Sequence, residues 1–88
     1  MGEVAATIKI MPKGTDINLE ELKKNLENSL PDGARLYNSK EEPIAFGLKA
    51  LILTIIVEDL EGGTEPVEKA FLEVAGVESV QVTELGRT

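Results

Sequence analysis

Neither cysteine nor histidine occurs anywhere in the 88 residues. The first absence removes disulfides, CxxC redox chemistry, thiol nucleophiles and thiolate metal sites, and the second removes histidine bases and histidine zinc ligands. Positive charge is scarce as well: nine Lys and Arg stand against sixteen Asp and Glu, a formal charge of −7. Nucleic-acid binding rests on cations that displace counterions from phosphates, so no direct nucleic-acid contact is expected. Such a field favours a basic protein partner instead. Long apolar runs are missing too. The longest, Leu51 to Val57 with Thr54 inside it, is far too short to span a bilayer. The opening Met1-Gly2-Glu3-Val4 carries an acid and runs directly into a strand pattern. No leader is therefore expected, and the expected location is cytoplasmic.

What is present is core material: 42% of the residues are hydrophobic, chiefly Val, Ile, Leu and Ala. That suits one small domain, read as residues 1–88. Glu3 to Met11 alternates, with Val4, Ala6, Ile8 and Ile10 on one face, and Pro12 and Gly14 close this first strand. Asn18 is placed to cap a helix, Glu21 completes a capping-box-like pair, and Ile17 can staple onto Leu22. Leu19, Leu22, Leu26 and Leu30 then recur at helical spacing until Pro31-Asp32-Gly33. Ala34 to Glu41 reads as a polar edge strand, with Leu36 and Tyr37 its only large apolar residues, broken by Glu41-Glu42-Pro43. Leu48 to Glu58, apolar on both faces, is the expected central strand. Thr64 is the expected cap of a second helix with Pro66 in its first turn. The buried stripe of that helix is Val67, Ala70, Phe71 and Val74; Gly76 stops it, and Val77 to Leu85 alternates again. The order β-α-β-β-α-β with right-handed crossovers predicts an α+β, ferredoxin-like sandwich. Its four-stranded antiparallel sheet carries two helices on one face, with the first and third strands central.

A fold of this type hosts many functions, each with its own residue signature. An RNA-recognition sheet needs aromatic residues on its open face, whereas the positions here are Ala5, Thr7, Lys9, Ala50, Ile52 and Thr54. Small phosphatases of this shape need an arginine in the loop after the first strand, which here reads Met11-Pro12-Lys13-Gly14-Thr15-Asp16. No nucleophile, base and orienting group can be assembled, so an enzyme making or breaking covalent bonds is not expected; nor is a metal or cofactor. Two features remain. Glu61-Gly62-Gly63-Thr64 is a Gly-rich helix start that could bind an anion, but Asp59, Glu61 and Glu65 oppose that, and a tight turn plus a cap is the simpler reading. The loop Glu41-Glu42-Pro43-Ile44-Ala45-Phe46-Gly47-Leu48 holds an apolar trio stiffened by Pro43. Phe46 either seals the end of the core beside Phe71, the commoner fate of an aromatic, or stands out as a protein-binding anchor.

Three stretches carry a resemblance: Met1 to Pro12 at the start, Glu42-Pro43-Ile44-Ala45-Phe46-Gly47-Leu48-Lys49-Ala50-Leu51, and Glu61-Gly62-Gly63-Thr64-Glu65. Together they resemble the archaeal translation elongation factor 1-beta family over the whole chain, and the Pro-Ile-Ala-Phe-Gly run is the most specific part. The resemblance implies the same ferredoxin-like fold and a guanine-nucleotide exchange factor for the GTPase elongation factor 1-alpha. It implies an exposed Phe46 as anchor, with Pro43, Ile44, Ala45 and Gly47 as contacts and Lys49 as an added charge. In eukaryotic relatives a lysine near the C-terminus reaches the partner's metal site. This sequence ends Thr83-Glu84-Leu85-Gly86-Arg87-Thr88, so the expected substitute is Arg87, either as a point charge near Mg²⁺ or as a solvated tail residue. The other class kept in view is a non-catalytic ligand-sensing or assembly module. It would use the open sheet face around Ala50, Ile52, Thr54 and Ile56 to dimerise or hold a small metabolite.

Overall fold

A computed structural model describes residues 3–45, 47–58 and 64–87, with the backbone alone for Arg87. The elements are β1 (Glu3–Pro12), α1 (Leu19–Asn28), β2 (Ala34–Ala45), β3 (Leu48–Glu58), α2 (Glu65–Leu72) and β4 (Val77–Arg87). They form one antiparallel sheet in the order β2-β3-β1-β4, so β1 and β3 are central as the patterning predicts. The architecture is the expected α+β ferredoxin-like sandwich.

Period two makes the core. Ala6, Ile8 and Ile10 of β1 and Leu51, Leu53, Ile55 and Val57 of β3 share one face and are buried with Leu22, Leu26, Val67 and Phe71 of the helices. The largest of these, Phe71, is fully enclosed, which for a ring of this size is worth about 2–3 kcal/mol of transfer free energy. Local chemistry starts and stops α1. The Asn18 Oδ1 accepts the Glu21 N–H at 3.1 Å, satisfying one donor of the first turn. At the other end the Ser29 hydroxyl donates to the Leu26 carbonyl at 2.7 Å. The helix ends there, so Leu30 lies beyond it, partly buried against the core.

Three expectations need correction. Thr64 stands at the N-cap of α2, but its hydroxyl donates to the Glu68 carboxylate at 3.1 Å and makes no cap bond. Pro66 already removes one orphan N–H there, which lowers the demand for a cap. The second strand does not break at Glu41-Glu42-Pro43; β2 runs on to Ala45. A proline is tolerated because β2 is an edge strand, with one side of its backbone free of any ladder. Finally, the face away from the helices is not an open apolar patch. Ala50, Ile52 and Ile56 are all buried. The register sets Lys9 and Lys40 on either side of Ile52, and Ala5 and Arg35 on either side of Ile56. Long cationic side chains lay their methylenes over such apolar neighbours. The Arg35 guanidinium also reaches across β3 to the Glu3 carboxylate with two bonds, at 2.8 and 3.2 Å.

Candidate functional site: the β2–β3 hairpin end

The extension of β2 changes what the Pro43–Gly47 segment is. Pairing continues through Glu42↔Ala50, Pro43↔Lys49 and Ala45↔Leu48, so the expected loop is the end of a β2–β3 hairpin, with Gly47 in its turn. Gly47 has φ +81°, the left-handed backbone that two-residue hairpin turns commonly require and that glycine adopts without a Cβ penalty. The last β1–β3 pair is Ile10↔Leu51. Residues Leu48 to Ala50 and their β2 partners therefore extend beyond the four-stranded part of the sheet.

Exposure follows from that extension. Pro43, Ile44, Ala45, Gly47 and Lys49 are all exposed, and Ile44 keeps 39% of its surface in water despite being a large hydrophobe. Phe46 lies outside the described residues, as do Glu61, Gly62 and Gly63. The Lys49 ammonium stands 3.8 Å from the Glu41 carboxylate, with both side chains about half exposed. An exposed pair at this distance contributes little and can exchange partners readily. A groove of about 440 Å³ runs between Glu41, Gly47 and Lys49 of the hairpin and Pro12, Ile17 and Asn18 beside the start of α1. The structure thus brings five of the seven predicted site residues to one end of the sheet. Arg87 does not join them: β4 pairs it with Val4, at the opposite end of β1 from Pro12.

The arrangement can bind but shows no reaction centre among the described residues. No three acidic side chains converge as metal ligands there. The carboxylate with a resolved shift is Glu3, held below the ordinary glutamate value by the hydrogen bonds from Arg35, and it sits on β1 away from the hairpin end. No helix among the described residues is long and apolar enough to cross a membrane.

Sequence reasoning missed two irregularities of β2. Its register with β3 skips one residue between Leu36 and Asn38 and another between Pro43 and Ala45. The skipped residues are Tyr37 and Ile44. A signal for the first was present: adjacent apolar residues, Leu36-Tyr37, interrupt the period-two pattern.

The fold defines a small α+β ferredoxin-like sandwich with an exposed, glycine-turned hairpin. Comparison with known proteins gives that class its content. The family described as the EF-1 guanine nucleotide exchange domain matches residues 5–88. Elongation factor 1-beta of Methanococcoides burtonii is 68% identical over 87 residues, covering 99% of this chain and 98% of the relative. That of Methanosarcina mazei is 61% identical over 88 residues, and that of Halorubrum lacusprofundi 55% over 87, each covering 99% of both chains. The chain belongs to the elongation factor 1-beta family of guanine-nucleotide exchange factors. Its role is guanine-nucleotide exchange in translation elongation.

Proposed function

We infer that the domain of residues 1–88 promotes GDP release from the GTPase elongation factor 1-alpha, in the cytoplasm, by docking its β2–β3 hairpin end against that partner. Phe46 is the anchor in this reading. Pro43, Ile44, Ala45 and Gly47 surround it, and Lys49 exchanges its loose Glu41 pairing for an acidic group of the partner. Arg87, at the far end of the sheet from the hairpin, would have to touch a separate part of the partner; its contribution is a cation near the nucleotide's metal. The observation that supports the reading best is the run Pro43 to Gly47. It carries the resemblance to the exchange-factor family, and its described residues belong to the part of the sheet that projects beyond the layer of four strands.

The thermodynamics demand no covalent step. A GTPase holds GDP through its phosphate loop, a lysine and Mg²⁺. A protein that binds the nucleotide-free state more tightly than the GDP state must, by reciprocity, weaken GDP by the same factor. Each tenfold weakening takes about 1.4 kcal/mol of differential binding, a quantity that one or two buried interface anchors can supply. The domain then acts as a binding partner and not as an enzyme on its own substrate, and it takes up neither nucleic acid nor membrane.

The direct test follows release of fluorescent GDP from the partner GTPase of the same organism. Wild-type protein accelerates release, and Phe46→Ala, with its circular dichroism unchanged, loses most of that acceleration. Full activity in Phe46→Ala would remove the anchor from the mechanism.

A further inference from the structure

Four large hydrophobic residues are exposed among those described: Tyr37 and Ile44 on β2, Leu72 on α2 and Leu85 on β4. The two on β2 share a cause. Leu36 pairs with Ile55 and Asn38 with Thr54, leaving Tyr37 with no Cα partner; Pro43 pairs with Lys49 and Ala45 with Leu48, leaving Ile44 with none. Each is the extra residue of a β-bulge, the device by which an edge strand re-aims a side chain. Had β2 kept a regular register, residue 37 would face Thr54 within the polar row of Thr54, Thr7 and Glu84 on the sheet surface. The bulge hands that place to Asn38 and leaves the tyrosine 73% exposed.

We propose that the free edge of β2 is a docking edge with two anchors, Ile44 at the hairpin end and Tyr37 further along, and that the nucleotide-exchange partner binds both. This rests on the reading that the hairpin end docks against the GTPase. It extends that interface along the same strand, since the bulges lie six residues apart on the partner strand β3, which at the rise of a β-strand places the anchors about 20 Å apart. The matching surface is a protein surface with two apolar recesses at that spacing and basic groups between them, opposite the exposed Glu42. Side chains make the contact, not an added strand. Two bulges and the missing N–H of Pro43 interrupt the row of free backbone groups that strand addition or β2–β2 dimerisation needs. A tyrosine suits such a role, carrying a large apolar ring and a hydroxyl at low entropic cost.

The test titrates full-length protein, wild type and variants, into partner GTPase loaded with fluorescent GDP, separating the half-saturating concentration from the maximal rate of release. Tyr37→Ala raises the half-saturating concentration about tenfold, the effect of about 1.4 kcal/mol, and leaves the maximal rate within about twofold. Tyr37→Phe retains most of the affinity. Leu72→Ala, a control for generic loss of exposed apolar surface, matches wild type. Half-saturation unchanged in Tyr37→Ala, in protein of native circular dichroism, overturns the second anchor while the hairpin reading stands. No acceleration by wild type overturns both. Concentration-dependent dimers in analytical ultracentrifugation, lost in Tyr37→Ala, overturn the proposal in favour of a second copy as occupant.

Discussion

Two glycines share one backbone constraint and differ in what surrounds them, which allows the hairpin turn to be separated from general stability. Gly47 has φ +81° and Gly76 φ +93°. An alanine in this region costs about 1–2 kcal/mol relative to glycine. At Gly47 an added methyl meets nothing within 4 Å, so the strain acts alone. At Gly76 the methyl meets Ile17 Cδ1 at 3.5 Å and Leu22 Cδ1 at 3.7 Å, ordinary contacts that add no clash. The intrinsic costs are thus alike, but their outlets are not. The Gly76 carbonyl accepts the Lys13 N–H at 2.9 Å and a methyl added there would lie against Ile17 and Leu22, so strain there is released only by unfolding. Gly76→Ala should lower unfolding stability by about 1–2 kcal/mol and leave stimulated GDP release unchanged at temperatures where it is folded. Gly47→Ala can relieve its strain locally, giving up only the Ala45↔Leu48 and Pro43↔Lys49 pairs. Its effect on global stability should be smaller, while the ratio of closed to open turn falls about tenfold at a strain of about 1.4 kcal/mol. Stimulated release at sub-saturating protein should then fall, by about twofold for a turn closed about ten to one in the wild type, read with fluorescent GDP alongside urea unfolding of both variants. If Gly47→Ala stimulates release as well as wild type, the turn geometry is not what the partner reads.

Two further outcomes follow from charge. The Glu3 carboxylate is held below the ordinary glutamate value by Arg35, so the pair stabilises the fold above that value and loses its effect as pH falls through the lowered one. Thermal unfolding should show Glu3→Gln slightly less stable than wild type at neutral pH, with the gap closing as pH falls through the lowered Glu3 value; a gap independent of pH would contradict the assignment. Because the chain carries a formal charge of −7, association with a basic partner should be steered electrostatically, and the rate of stimulated release should drop as salt rises. A rate indifferent to salt would count against steering.

Much of the molecule was legible one residue at a time. Alternation at Val4, Ala6, Ile8 and Ile10, the cap at Asn18, and the stripe through Val67 and Phe71 each depend on local geometry, with periods of two and 3.6. These patterns fix element type, and with the handedness of crossovers they leave one compact topology, which is why strand order and core were predictable. The resemblance that the Pro43–Gly47 run carries makes this segment the candidate contact without any coordinates.

Other features depended on which strand lay beside which. Pro43 reads as a breaker until β2 is seen to be an edge, where a missing N–H costs no ladder bond. Ile52 and Ile56 look open until Lys9, Lys40 and Arg35 are set beside them by the register. Tyr37 is one more strand residue until the skip between Leu36 and Asn38 leaves it without a partner across the sheet and exposed. Local sequence determines which way each side chain alternates. Tertiary pairing alone decides what neighbours it meets, because partners across a sheet are distant in the chain and a shift of one residue exchanges every contact.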